Sequence, residues 1–275
     1  MLNAARLLKS CSKGFGFWND FDTTISEQFD TYLTRNGASM NNPESQTMPP
    51  ALTLYYSPRA CSLASHIALE ESGLTYRAVS VDIRSGENTQ PAYRKISPSG
   101  IVPALDAGGA IITESQAILT YVADLAPEID LIPRPGTRTR ARAHEWMNWL
   151  SSTLHVRYRS VFRPQAYAGE NESAVGAVRE HARLKLSDAV SEIEVRLAQQ
   201  PYALGSTFSV VDAYLFVFYL WSHDERVAAA LPQRPHYQAH AARLLERPAV
   251  RSVLARERTV RAYDLPPEFP TIILG

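Results

Sequence analysis

Two kinds of hydrophobic periodicity occupy separate parts of this chain of 275 residues. Between residues 52 and 126, short apolar runs of strand length alternate with helical periodicity in the order β-α-β, loop, β-β-α. From residue 137 onward, every organised segment repeats with the period of a helix. The pattern therefore predicts an α/β domain followed by an all-α domain.

The first part of the α/β pattern predicts a parallel pair of strands. Residues 52–56 read as a strand, residues 62–72 as an amphipathic helix that Gly73 ends, and residues 76–81 as a second strand. Because a helix joins the two strands, they must run parallel.

The second part of the α/β pattern predicts a hairpin and a helix. Apolar runs at residues 102–106 and 110–112 flank a Gly-Gly pair, and residues 115–126 have helical period. Pro103 lies inside the first run, so we expect it at an edge or turn position at the start of that strand.

Residues 127–136 contain three prolines and a glycine and are predicted to link the two domains. We expect the α/β domain to span residues 51–128 and the helical domain residues 137–260. Ser209 and Asp212 have the spacing of a capping box at the start of one helix. The helices predicted in the second domain cover residues 137–162, 178–199, 210–221, 237–246 and 248–256.

The two ends of the chain lack this organisation. Residues 1–50 mix polar residues, glycine and isolated aromatics without periodicity, so we expect a flexible N-terminal extension. An equally open interpretation is that translation starts at Met40 or Met48. Residues 261–275 are expected to form a tail.

Charge balance and cysteine content indicate which partners and which cellular location to expect. The 28 basic and 28 acidic residues cancel, which argues against nucleic acid or an acidic membrane as a partner and favours a small neutral or zwitterionic ligand. No apolar run approaches the roughly 18 residues that a membrane helix needs. Since the cysteines are only Cys11 and Cys61, we expect a cytoplasmic protein with Cys61 as a free thiol.

The segment LYYSPRACSLASHIAL at residues 54–69 resembles the opening of the bacterial, beta-class glutathione transferases. The resemblance covers residues 52–257 and implies a thioredoxin-like N-terminal domain followed by an all-helical C-terminal domain. Further similar positions follow in the family's order: GIVPAL at 100–105, TESQAI at 113–118, Asn148 with His155, and FSVVDAY at 208–214.

The resemblance also implies an activity: attachment of the glutathione thiol to small hydrophobic electrophiles, as in detoxification. Glutathione would be a co-substrate, no cofactor or metal is expected, and the family implies a homodimer. Two alternatives stay open. One is thiol-disulfide exchange or reductive dehalogenation through Cys61. The other is a non-catalytic protein that binds glutathione or hydrophobic ligands, which Thr153 and Val156 favour because the family often has an acidic residue and a lysine there.

Four residues in two loops are assigned to glutathione by the resemblance. The family's proline at the position of Pro103 is cis, so that the backbone of Val102 pairs with the cysteinyl part of the ligand. Glu114 and Ser115 would hold the ammonium and the carboxylate of its γ-glutamyl end. The structural alternatives are a proline that ends an edge strand and a serine that only caps a helix.

Cys61 and Tyr56 are the candidates for chemistry in the first domain. Cys61 precedes the first helix, whose dipole should lower the thiol pKa below about 8.5 and favour thiolate. Because Ala64 replaces the second cysteine of a CxxC motif, a disulfide within the motif is excluded. Tyr56 would donate its hydroxyl to the glutathione sulfur. An inert buried cysteine and a core tyrosine are the alternatives, and His66 is expected in packing or on the surface.

Asn148 and His155 lie seven residues apart on one predicted helix and are therefore expected on the same face. The resemblance places that face at the active cleft, with Asn148 binding glutathione and His155 handling protons around sulfur. The electrophile is expected against the apolar side chains around Tyr158, Phe162 and Tyr167.

Overall fold

The computed structural model describes residues 51–261 and 264–266. The predicted extension over residues 1–50, Cys11 and most of the predicted tail lie outside the described residues. Within the described part, a four-stranded sheet with its helices is followed by helices. The predicted fold class, a thioredoxin-like domain followed by an all-helical domain, is confirmed.

The sheet contains β1 (Leu52–Tyr56), β2 (Tyr76–Ser80), β3 (Ala104–Ala107) and β4 (Ala110–Thr113). Their order is β2-β1-β3-β4. β2 runs parallel to β1, as predicted, whereas β1 with β3 and β3 with β4 are antiparallel. Leu54 therefore pairs with Ala78 on one side and Leu105 on the other, at the centre of the sheet.

Gly108 and Gly109 form the predicted hairpin turn between β3 and β4. Both have positive φ, 69° and 97°, which a type I′ turn requires and glycine adopts without a steric penalty. Asp106 accepts the Gly109 N–H at 2.6 Å. β3 begins at Ala104 and is an internal strand, so Pro103 lies in the turn before it, where its missing N–H leaves no ladder hydrogen bond unmade.

The first helix, α1 (Leu63–Ser72), connects β1 to β2 and ends at Gly73, as predicted. It is not amphipathic, because eight of its ten residues are buried. The sheet covers one side of α1, and helices of the second domain pack against the other. The remaining helices of this domain are α2 (Pro91–Arg94) and α3 (Ser115–Leu125).

The second domain is built around one long buried helix, with eleven of its twelve residues buried. None of the helices in the described ranges has the length and apolar character needed to cross a bilayer. The helices are α4 (Arg138–Trp149), α5 (His155–Phe162), α6 (Gln165–Ala168), α7 (Glu172–Leu197), the central α8 (Val210–Trp221), α9 (Pro235–Leu245) and α10 (Pro248–Val260).

Two of the predicted helices differ substantially from those observed, and α10 also continues four residues beyond its predicted end, to Val260. The helix predicted over residues 137–162 is divided by a π-helical segment, Leu150–Leu154, between α4 and α5. α7 begins at Glu172, six residues before its predicted start, where Asn171 accepts the Ala174 N–H at 2.9 Å as N-cap. The four-residue helices α2 and α6 were not predicted, because so short a segment carries no periodic signal.

The capping box predicted at Ser209 and Asp212 is present at the start of α8. Asp212 accepts the N–H of Ser209 at 2.8 Å and that of Ala203 at 2.7 Å. Its carboxylate also lies 2.9 Å from Nε2 of His240 in α9. One buried carboxylate thus connects α8, the loop before it and α9.

A second buried carboxylate joins the two domains. Oε1 of Glu257 in α10 lies 3.0 Å from Nδ1 of His66 in α1, and both side chains are fully buried. Oε2 accepts the backbone N–H of Arg59 at 3.0 Å. Of the two roles expected for His66, packing and surface exposure, the structure shows packing. Two further ion pairs connect the same helices and the start of α10: Arg256 with Glu70, and Arg247 with Glu71.

We predict that Glu257→Gln lowers the free energy of unfolding by about 3 kcal/mol, because the substitution removes one charge from a buried, hydrogen-bonded pair. Urea denaturation followed by far-UV circular dichroism measures this difference. Glu246→Gln, at an exposed position after α9, is the matched control and should unfold like the wild type. Equal midpoints for all three proteins would contradict the role assigned to Glu257.

Candidate functional site

The sheet brings the predicted residues of the first domain to one end of its strands. Tyr55 of β1 pairs with Ala104 of β3, and Ala104 pairs with Thr113 of β4. The end of β1, the start of β3 and the end of β4 therefore lie side by side. The segments attached there carry Cys61, Val102 with Pro103, and Glu114 with Ser115.

Cys61 lies in the turn before α1 with 9% of its surface exposed. Its Sγ donates to the carbonyl oxygen of Val102 at 3.3 Å, and the Ser115 side chain is close enough to affect its titration. Burial raises the pKa of the thiol to about 11, although hydrogen bonds from Ser115 and the backbone oppose the shift. The predicted lowering of this pKa is wrong, because loss of water outweighs the helix dipole. Cys61 is a thiol at neutral pH.

The Val102–Pro103 peptide bond is cis, and neighbouring residues hold the turn that contains it. Tyr93 of α2 donates its hydroxyl to the Ile101 carbonyl at 2.8 Å. Gly100 has φ of 65°, and a Cβ there would lie only 2.7 Å from the Asn88 carbonyl oxygen. Only glycine fits this position, so the GIVPAL segment packs closely against the loop that precedes it.

Glu114 and Ser115 form the junction between β4 and α3. Glu114 occupies the N-cap position with φ of 69°, a conformation that costs a non-glycine residue roughly 1 to 3 kcal/mol. Ser115 is the first residue of α3, so the alternative that it serves only as an N-cap is wrong. The junction presents a carboxylate, a hydroxyl and the unpaired N–H groups of a helix start within one turn of chain.

Tyr56 is buried in the core of the first domain, with 4% of its surface exposed. Its ring centroid lies 4.8 Å from that of His66. Burial, followed by the negative charge of Glu257, raises the pKa of the Tyr56 hydroxyl. The hydroxyl therefore stays protonated and can act as a hydrogen-bond donor.

Asn148 and His155 do not share one helix face. The π-helical segment Leu150–Leu154 lies between them, and because a π-turn holds more residues than an α-turn, seven residues no longer complete two turns. Asn148 is exposed on α4. The same-face prediction is wrong, since it assumed an uninterrupted α-helix.

His155 lies in an aromatic cluster at the end of α8. Its ring centroid is 5.2 Å from that of Trp221 and 5.9 Å from that of Phe218. Trp221 donates its indole N–H to the Arg59 carbonyl at 2.8 Å, which connects this cluster to the turn that carries Cys61. Burial, followed by the positive charge of Arg159, lowers the pKa of His155 to about 4. The imidazole is neutral at neutral pH.

Tyr214 of α8 is a site residue that sequence reasoning missed. It is buried, and its phenol is close enough to Ser115, Cys61 and Glu114 for them to affect its titration. Its position at the end of the FSVVDAY segment was a signal, but that segment was interpreted as a folding motif. Contact between α8 and the start of α3 depends on how the domains dock, which no local pattern reveals.

The side chains expected to contact the electrophile fall into two groups. Tyr158 is fully buried and donates its hydroxyl to the Phe218 carbonyl at 3.0 Å, so this side chain presents no surface to a ligand. Phe162 is partly buried with its ring centroid 5.8 Å from that of Trp221. Tyr167 of α6 is 48% exposed.

A groove of about 550 Å³ lies beside Glu114, between α3 and α4. At its side, Arg140 forms two hydrogen bonds with the Asp124 carboxylate at 2.8 and 2.9 Å and donates Nε–H to Nε2 of His144 at 3.1 Å. Nδ1 of the same ring lies 3.2 Å from Nε2 of Gln116 in α3. The residues that line the groove are Glu114, Gln116, Ala117, Thr120, Tyr121, Asp124 and His144.

Comparison with known families gives two matches. The family described as glutathione S-transferase, N-terminal domain, matches residues 50–124. The family described as glutathione S-transferase, C-terminal domain, matches residues 176–256.

Individual relatives agree with these matches. The glutathione S-transferase GstA of Escherichia coli O157:H7 is 34% identical over 209 residues, which are 75% of this chain and 98% of that protein. A glutathione transferase homologue from Sulfitobacter, solved with bound glutathione, has a TM-score of 0.68 and 32% identity, covering 75% of this chain and 98% of its own. The beta-class glutathione S-transferase of Sphingomonas chungbukensis has a TM-score of 0.64 and 35% identity, covering 74% and 98%.

We predict that the alkylation rate of Cys61 by iodoacetamide rises continuously from about pH 7 to about pH 10, because the thiolate fraction increases until the pKa of about 11 is reached. A Cys11→Ser variant leaves Cys61 as the single thiol. The same variant in urea is the control and should reach its half-maximal rate near about pH 8.5. A plateau of the native rate below about pH 8 would show that the thiol is activated rather than suppressed.

Proposed function

The chain belongs to the glutathione S-transferase family, and on that premise we propose that it conjugates the thiol of glutathione to hydrophobic electrophiles. One observation supports this most strongly. Cys61, the Val102–Pro103 turn and the Glu114–Ser115 junction occupy neighbouring strand ends. Their polar groups match the charges and hydrogen-bonding groups along glutathione.

The two charges of the γ-glutamyl end of glutathione fit the junction before α3. The Glu114 carboxylate would receive the ammonium group, and the helix start with the Ser115 hydroxyl would receive the carboxylate. The backbone of Val102 would pair with the cysteinyl part, as the family resemblance implies. Glutathione bound in this way would direct its sulfur toward Cys61.

Three neutral groups would surround that sulfur in this proposal. Cys61 and Tyr56 are protonated and can donate hydrogen bonds to a thiolate, the Cys61 S–H by turning away from the Val102 carbonyl. His155 is an unprotonated imidazole that can accept a hydrogen bond from a thiol. Lowering the thiol pKa of glutathione by about two units corresponds to about 2.7 kcal/mol. The thiolate then attacks the carbon that bears the leaving group. The new C–S bond forms as the halide departs with its electron pair, and the thiol proton passes to solvent.

The protonated state of Cys61 favours conjugation over the exchange alternative. Thiol-disulfide exchange begins with attack by a thiolate, and a thiol whose pKa is about 11 supplies a very small thiolate fraction at neutral pH. In conjugation the nucleophile belongs to glutathione, so Cys61 needs only its S–H. Glutathione must remain reduced for either reaction, and we therefore propose a cytoplasmic, detoxifying role.

We further propose that the protein is a homodimer whose interface includes the groove between α3 and α4. The groove lies directly beside Glu114, so a partner subunit seated there would border the ammonium end of glutathione. The exposed Ala117 and the partly buried Tyr121 offer apolar contact surface. At the side of the groove, the charges of Arg140 and Asp124 neutralise each other.

Wild-type protein should conjugate glutathione to a chloronitroaromatic, and Cys61→Ala should retain activity reduced about tenfold, the expected effect of losing one hydrogen bond to a charged sulfur. Absorbance of the product measures the rate, and Cys11→Ser is the control. Reduction of a glutathione mixed disulfide is measured in parallel. Reduction without conjugation, abolished in Cys61→Ala, would replace the proposal by exchange. Glutathione binding without either reaction would replace it by a binding role.

Light scattering at micromolar concentration is expected to give twice the mass of the 275-residue chain. Ala117→Arg introduces a charge into the groove and should produce a monomer, because two unpaired arginines would have to be buried in one interface. Ala177→Arg, at an exposed position on α7, is the control and should remain dimeric. A monomeric wild type would refute the proposed assembly.

A further inference from the structure

One face of α5 combines aromatic surface with positive charge. His155, Arg159 and Phe162 are separated by four and three residues, so their side chains lie in one row along the helix. The first and last of them pack against Trp221, with ring centroids 5.2 and 5.8 Å from its own. Arg159 is exposed and lies between them in the row.

A second arginine next to this row is paired with a carboxylate. Arg226 lies with its guanidinium carbon 4.2 Å from the centroid of Phe162, and it forms two hydrogen bonds with Asp224 at 2.7 and 2.8 Å. The charge of Arg59 also acts on Asp224. By contrast, no carboxylate within residues 51–261 and 264–266 forms an ion pair with Arg159. The row therefore keeps an uncompensated positive charge beside partly buried rings.

We infer that Arg159 is a specificity-determining residue for aromatic electrophiles that carry an anionic group such as a carboxylate. The inference rests on the proposed transferase function and names its substrate class. An aromatic electrophile would pack its ring on Phe162 and Trp221, next to His155. A carboxylate on that ring would then meet the Arg159 guanidinium, which can bind it through two hydrogen bonds.

A purely structural role for Arg159 makes a different prediction. Arg159 lies in the last turn of α5, where a positive charge stabilises the helix dipole. In that case its removal would change stability but would not distinguish a charged substrate from a neutral one. The distinction requires two electrophiles that differ only in charge.

The experiment compares Arg159→Met with the wild type, using a chloronitrobenzoate and its methyl ester as electrophiles. Arg157→Met is the matched control, because Arg157 is on the same helix but donates to the Lys185 carbonyl of α7 at 2.9 Å. Arg159→Met should lower kcat/KM for the acid about fivefold, the scale of an exposed ion pair, and leave the ester within about twofold. Arg157→Met should leave kcat/KM unchanged for both the acid and the ester. Added salt should weaken wild-type turnover of the acid alone.

Equal effects of Arg159→Met on acid and ester would overturn the inference. A second measurement separates this result from failure of the proposed function: calorimetric binding of nitrobenzoate and its methyl ester, which need no turnover. If neither electrophile reacts but Arg159→Met weakens binding of nitrobenzoate alone, the inference stands and the transferase proposal fails. If both compounds react but bind equally well to wild type and variant, the transferase proposal stands and the inference fails.

Discussion

The buried carboxylate of Glu257 is the interaction on which the assembly of the two domains depends. A charge with no access to water must be paired and hydrogen-bonded where it lies. Here one partner is His66 on α1 and the other is the N–H of Arg59, two residues before Cys61. The turn that carries Cys61 is therefore held from two directions, by Ser62 within its own domain and by Glu257 of α10. Docking of the helical domain thus helps to fix the site.

Burial also determines the protonation states of the candidate site residues. Loss of water is the leading cause of the pKa shifts of Cys61, Tyr56 and His155, and in each case it favours the neutral form. The chemistry proposed above consequently relies on neutral donors arranged around a charge that the ligand brings. Such dipoles are effective because they are already oriented and cost little reorganisation when the thiolate forms.

Local patterns predicted much of this structure. The βαβ order, the glycine turn and the capping box at Ser209 each follow from a few consecutive residues, and the family motifs identified the loops that meet at the site. The errors concern properties set by distant contacts. The pKa of Cys61 depends on burial beneath other segments, α1 is covered on two sides because α8 and α10 dock on it, and Tyr214 reaches the site from the second domain. The periodicity of hydrophobic residues along the chain indicates neither which side chains other segments cover nor which residues meet across the two domains.

The π-helical segment Leu150–Leu154 allows the chain to differ in length by one residue just before α5. A π-turn is equivalent to an α-turn with an inserted residue, so deletion of one residue there would restore continuous α-geometry. The side chains beyond the deletion would keep their positions around the helix axis, because the π-turn spans the same rotation with one more residue. His155, Arg159 and Phe162 would stay against Trp221. Evolution or a protein engineer could thus shorten the helix here without disturbing the row on α5, whereas deletion of one residue within α5 would rotate every side chain beyond it by about 100°.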